Sequence, residues 1–224
     1  GQVGKVINGS ISGEVTVQIC VPANRSFRFL ASSVNTAKSG DPNPTTIYDN
    51  WQQGGLEPGD TGYRPNIGTH ITGGAETDGF DQNASGAPSL YTFDNLSGSY
   101  TAVSTANSFA TKNLPLKAGE GYYILVRGDR SINLTTNDDP AGIDTKLEAT
   151  GSLATGLQTP VNVTPNGNKF ILIANPYQAP VNLDKVFNNS TNIDAGADIY
   201  VWDPQAGADY NKGQFATIKA NGNN

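Results

Sequence analysis

Few residues in this chain have side chains suited to catalysis, and they are scattered. His70 is the only histidine and Cys20 the only cysteine, which excludes a multi-histidine metal site, a mechanism needing two imidazoles and an internal disulfide. The neighbours Thr69, Ile71 and Thr72 mark His70 as a loop residue that bonds the backbone. A Gly-x-Ser-x-Gly elbow, a zinc-ligand motif and a phosphate-binding loop are all missing. Glycoside hydrolysis needs two carboxylates facing each other across a cleft. Asp78 with Asp81, or Asp138 with Asp139, come nearest, yet both pairs sit in Gly- and Asn-rich turns, where Asp is favoured because its side chain bonds the local backbone. The expectation is no catalytic residue and no enzyme.

Binding chemistry is better represented. Oxygen-rich turns around Asp78, Asp81 and Asn83, and around Asp138, Asp139 and Asp144, offer the hard ligands that calcium takes. Neither has EF-hand spacing, and an ordinary Asx turn is the alternative for each. Calcium is the only cofactor the sequence suggests. A sugar site would need aromatic rings that stack on the pyranose face beside amide and carboxylate groups. Trp51, Tyr48 and Tyr63 supply the rings, and Asp49, Asn50, Gln52 and Gln53 the polar partners. Trp202 is a weaker candidate, because it aligns with Phe93 at an expected core position.

These residues must be positioned by strands. Two stretches recur: Ser26 to Ser33 (SFRFLASS) aligns with Phe170 to Asn175 within the run Lys169 to Pro180, pairing Phe27 with Phe170 and Phe29 with Leu172. Farther on, Tyr91, Phe93 and Asp94 align with Tyr200, Trp202 and Asp203. One strand-turn-strand unit used twice is the simplest account. The first copy continues into Leu116 to Val126, a Gly-x-Gly-aromatic strand, whereas the second runs through Gly213 to Ile218 into a polar tail. A piece of a longer protein is therefore expected. If the missing strand belongs to the same sheet, an apolar edge beside Asp198 to Asp203 should be open unless the strand Glu14 to Val21 covers it.

In Glu14 to Val21, Val15, Val17, Ile19 and Val21 share one face, leaving Thr16, Gln18 and Cys20 on the other. Cys20 then reads as a passive thiol. The turn Pro22 to Arg25 leads into an adjacent strand. Further strands are expected at Ser89 to Asp94 and Ser99 to Val103, a hairpin, at Tyr122 to Arg127 with Ser131 to Leu134, a second hairpin, and at Lys146 to Thr150 and Gln158 to Val163. Leu183 to Phe187 is the best helical candidate, at one turn. Between Val34 and Ala87 lies a long Gly/Pro/Asn-rich excursion, anchored by Trp51, where a binding surface would be expected.

Composition supports an all-β chain. Its 224 residues include 26 Gly and 13 Pro, only 15% are charged, and apolar runs are short. The formal charge of -6 disfavours nucleic acid, since phosphate binding needs clustered Lys and Arg. No apolar run is long enough to insert in a membrane. The expected fold is an all-β β-sandwich, jelly-roll or Ig-like, built from the repeated unit. Residues 1–13 read as a connection from a preceding module, 14–164 as the sandwich region with the first copy and the excursion, and 165–224 as the incomplete second copy packed on the first.

The runs PANRSFRFLASSVNT, IYDNWQQGG, GTHITGG, GFDQNASGAPSLYTFDN, LKAGEGYYILVRGDRSINLT, ATGSLATG, ANPYQAPVNLD and IYVWDP resemble, in order and over nearly the whole chain, a region of very large cell-surface proteins of Bacteroidota exported by the type 9 secretion system. The resemblance implies an extracellular setting, on the cell surface or secreted, within a long adhesin-like or enzyme-bearing chain. It implies no site residues. The functional expectation is a non-catalytic structural or adhesive module whose partner is a neighbouring protein module or a surface glycan. The alternative is a carbohydrate-binding, lectin-like module, with or without calcium.

Overall fold

The structure, a computed structural model, describes residues 2–3, 11–37, 40–136, 144–158, 170–183, 185–186, 198–206 and 213–219. Nine strands among them form three antiparallel sheets. The first sheet has the order β1-β7-β3, from β1 (Val15–Val21), β7 (Thr145–Leu153) and β3 (Val34–Asn35). The second has the order β2-β6-β4-β5, from β2 (Ser26–Ala31), β6 (Gly121–Val126), β4 (Leu90–Asp94) and β5 (Ser99–Ala102). The third is the hairpin of β8 (Asp198–Asp203) and β9 (Gln214–Lys219). The protein is all-β, and no helix among the described residues is long and apolar enough to cross a membrane.

Period-2 patterning accounts for the larger strands. In β1 the odd-numbered residues from Val15 to Val21 turn inward while Thr16, Gln18 and Cys20 are exposed, as the alternation predicts. In β6, Tyr122, Ile124 and Val126 are buried, and Tyr123 and Leu125 face the other way. These inward residues join Leu147 and Ala149 of β7, Leu90 of β4, and Val34 in a single apolar cluster. Each such side chain contributes roughly 1.5–3 kcal/mol when fully buried.

The excursion supplies much of this core. Ile47, Trp51, Ile71 and Phe80 are all sealed within the cluster, and Trp51 meets the Tyr122 ring edge-on at 5.3 Å. Its backbone is tied to β7: Gly68 N–H donates to the Lys146 carbonyl at 2.9 Å, and Lys146 N–H to the Asn66 carbonyl at 2.8 Å. A segment with little regular structure is thus ordered by burial and by bonds to a strand.

Several expectations need correction. The strands β1 and β2 are not neighbours, because the turn after Pro22 carries the chain from one sheet to another. Residues 131–134 form no strand; after β6 the chain turns at Gly128 and sends Arg130 into the interior instead. Residues 170–176 are not a strand, and Phe170 and Ile173 are exposed. The expected strand after Gln158 lies outside the described residues, as do Lys169, Asp184 and Phe187. Val186 N–H closes one turn onto the Asn182 carbonyl.

Candidate functional site

The polar residues of the excursion converge on Arg130. Its guanidinium is almost fully buried and donates to the carbonyls of Leu56 (2.7 Å) and Gly55 (3.1 Å). It also holds both oxygens of Asp81, at 2.8 and 3.1 Å, and Glu57 Oε1 at 2.5 Å. Asp81 Oδ2 accepts two further bonds, from the Ile71 N–H (2.8 Å) and Gln52 Nε2 (3.0 Å). His70 donates from Nε2 to the Arg130 carbonyl at 3.1 Å. Its Nδ1 faces Asp81 Oδ1 at 3.4 Å and Glu57 at 3.9 Å. Burial pushes the Asp81 carboxyl upward, but hydrogen bonds from His70 and Arg130 and the Arg130 charge outweigh it, holding the group well below the usual carboxylate range.

Glu57, His70 and Asp81 bring one ligand atom each within 4.8 Å of one another, a spacing that would also suit a metal. The Arg130 guanidinium, however, already supplies the positive charge there. The arrangement is an ion-pair knot, with Asp81 bonded on both oxygens.

The other calcium candidates do not join it. Asp78 accepts from the Thr105 hydroxyl at 2.6 Å, Asn83 bonds Ser85, and Asp144 accepts from the Ala23 N–H at 2.9 Å. Only the Asn83 bond is a local turn bond; the Asp78 and Asp144 bonds tie together segments 27 and 121 residues apart. Asp138 and Asp139 lie outside the described residues.

Most of the candidate sugar-binding residues are turned inward by folding. Trp51 is fully buried, so its ring has no face to offer a ligand; it is packed as the anchor of the excursion rather than exposed as the lectin-like alternative requires. Asn50 and Gln52 are buried too: Asn50 bridges the Thr46 carbonyl and the Thr150 N–H, and Gln52 bonds the Gly79 carbonyl and Asp81. The same is true of Gln53, which binds the backbone of Arg64 and Ile67. Asp49 caps Thr46. Tyr48 and Tyr63 are half-buried at the surface, with Lys112 Nζ 4.9 Å over the Tyr48 ring.

The outward-facing chemistry lies on the four-stranded sheet. In β2 it is Ser26 and Arg28 that are buried, while Phe27 and Phe29 point outward. There Phe27 stacks on Tyr123 at 4.4 Å, and Tyr91, Phe93 and Tyr100 extend the ring cluster. The β8–β9 hairpin seats on one side of this face. Trp202 meets Tyr123 and Phe29 edge-on at 5.9 and 6.1 Å, Phe215 lies 5.8 Å from Phe29, and Trp202 Nε1 donates to the Phe27 carbonyl at 2.7 Å. Tyr100 keeps 46% of its surface exposed.

Sequence reasoning missed Arg130, Glu57 and this aromatic face. An arginine just past an apolar strand in a charge-poor chain was one available signal. The alternation Phe27-Arg28-Phe29 was another, although period 2 cannot say which side faces the core.

No protein-family model, no curated protein and no solved structure matches the chain.

Proposed function

We propose that this chain is a non-catalytic structural or adhesive module of a surface or secreted bacterial protein. The observation that carries the reading is the inward folding of the excursion. Trp51 is sealed in the core, and the amides and carboxylates around it are spent on the fold's own backbone and on Arg130. Rings face outward on the four-stranded sheet instead, where they receive a second part of the same chain. Apolar aromatic faces of this kind suit packing between modules. The extracellular setting rests on the resemblance to exported Bacteroidota proteins.

The two larger sheets, which contribute to one apolar cluster, fit a β-sandwich. Two hairpins in the chain also share their details, which supports a repeated unit. Phe93 and Tyr100 are cross-strand partners with ring centroids 5.0 Å apart, and Trp202 and Phe215 are cross-strand partners at 4.9 Å. Each hairpin turns on an aspartate whose Oδ1 accepts from the backbone N–H two residues on, Asp94 from Leu96 and Asp203 from Gln205, both at 2.9 Å.

The second reading, a carbohydrate-binding module, is favoured only by the half-buried rings of Tyr48 and Tyr63 at the excursion's surface. A glycan array probed in calcium and again in chelator separates the two. Silence in both arms is the expected result. Saturable binding that disappears in Tyr48→Ala or Tyr63→Ala would make the chain a lectin-like module, and loss in chelator alone would assign calcium a role.

A further inference from the structure

In the four-stranded sheet, β2 and β4 never pair with each other. β6 lies between them, in register with β2 from Ser26↔Val126 to Ala31↔Gly121 and with β4 from Leu90↔Ile124 to Thr92↔Tyr122. The outward side chain of Tyr123 packs against the rings of Phe27 and Tyr91, at 4.4 and 6.1 Å, and those two rings lie 6.2 Å from each other, so the three form a triangle.

The second part of the chain repeats the flanks of this arrangement. Phe170 aligns with Phe27 and Tyr200 with Tyr91, and their rings meet edge-on at 5.3 Å. The β8–β9 hairpin matches β4–β5, down to its cross-strand aromatic pair and its aspartate turn. Among the described residues, β8 pairs with β9 alone, and β1, the strand that might have covered its other edge, pairs with β7. Residues 170–176 likewise have no strand partner among the described residues. The backbone of Leu172 is instead met by a side chain, Asn95, whose Oδ1 accepts from Leu172 N–H at 2.8 Å and whose Nδ2 donates to its carbonyl at 3.2 Å. Apolar surface collects here: Phe170 is 69% exposed, Ile173 66% and Tyr200 45%.

Unpaired main-chain groups beside exposed apolar side chains make a template for strand addition. We propose that the edge of β8 not held by β9 is a β-strand acceptor site. Its occupant is a polypeptide strand of the β6 type, a glycine turn followed by alternating aromatic and aliphatic residues, with one aromatic ring packed against both Phe170 and Tyr200. This inference rests on the repeated-unit reading above.

The test uses the intact chain and a synthetic peptide spanning Lys117–Arg127, whose terminal cations favour solubility, read by amide hydrogen exchange resolved to single strands. The expected result is at least tenfold slower exchange across Asp198–Asp203 with saturating peptide. A peptide carrying Tyr123→Lys should give no such slowing. Protection appearing instead in β2 and β4 would mean that the peptide displaces native β6, and would overturn the proposal. So would unchanged exchange in every strand with monomeric peptide in excess. Nuclear Overhauser contacts between Phe170 and Tyr200 and between Trp202 and Phe215 in the free chain separate the two levels of inference. If the contacts are present but the peptide does not bind, the acceptor site alone fails; if they are absent, the repeated-unit reading fails with it.

Discussion

The Arg130 guanidinium grips Asp81 through two parallel contacts, Nη2 to Oδ1 at 2.8 Å and Nη1 to Oδ2 at 3.1 Å. This geometry joins the turn after β6 to the excursion, which lies 49 residues earlier in the sequence. Removing Arg130 leaves Asp81 as a buried carboxylate without its guanidinium, at a cost on the order of 3–5 kcal/mol, whereas removing the Asp81 charge leaves Arg130 paired with Glu57. Arg130→Met should lower the unfolding free energy by that amount and Asp81→Asn by less, each moving the urea midpoint down in proportion. In the double variant the two losses should be far from additive, and a double-mutant cycle measures the coupling.

The same carboxylate gives stability a pH dependence. Its pKa in the folded protein lies below the ordinary carboxylate value, which is about 3.9 for an unfolded Asp. The stability it contributes is therefore complete above the unfolded value and is lost as pH falls from there toward the depressed folded one. Unfolding free energy should decline below about pH 4, and Asp81→Asn should flatten that part of the profile. Denaturation curves from pH 3 to 7 on both proteins check the sign.

Two tryptophans report on two environments. Trp51 is fully buried, whereas Trp202 lies at the seam between the hairpin and the four-stranded sheet. Acrylamide should quench Trp202 and spare Trp51, so that Trp202→Phe leaves a blue-shifted, poorly quenched emission. Trp202→Ala removes the bond to Phe27 and several ring contacts, each worth about 0.5–1.5 kcal/mol. Hydrogen exchange in β8 and β9 should accelerate by tenfold or more while β6 and β7 change little.

Trp51→Ala should behave as a core truncation, with a loss of about 3–5 kcal/mol. The wild-type and Trp51→Ala chains should show the same glycan-array profile wherever both are folded. A folded Trp51→Ala chain that had lost a glycan signal would contradict this account of the residue.

Gly151 in β7 packs directly under the Asn35 carbonyl, with no room for a Cβ. Gly151→Ala should therefore push β3 off β7 and speed exchange at Val34 and Asn35, two residues paired with Leu153 and Ser152.

The sequence alone was enough to find most strands, because their signals are local. The alternation in Val15 to Val21, the turn Asn95 to Gly98 and the glycine turn before Tyr122 each follow from residue type and spacing within a few positions. It also identified Trp51 as the anchor of the excursion. Tertiary structure decided which way the anchor and the alternating faces point. Period 2 defines two faces without naming the inner one, so Phe27 and Phe29 could turn out and Arg28 in only once β6 and the β8–β9 hairpin supplied neighbours. The Arg130 knot was equally beyond reach, since it draws on Gln52, Glu57, His70, Asp81 and Arg130. Their proximity is a product of chain reversal, which no local pattern encodes, and burial among one another turned plausible ligands into groups that hold the fold together.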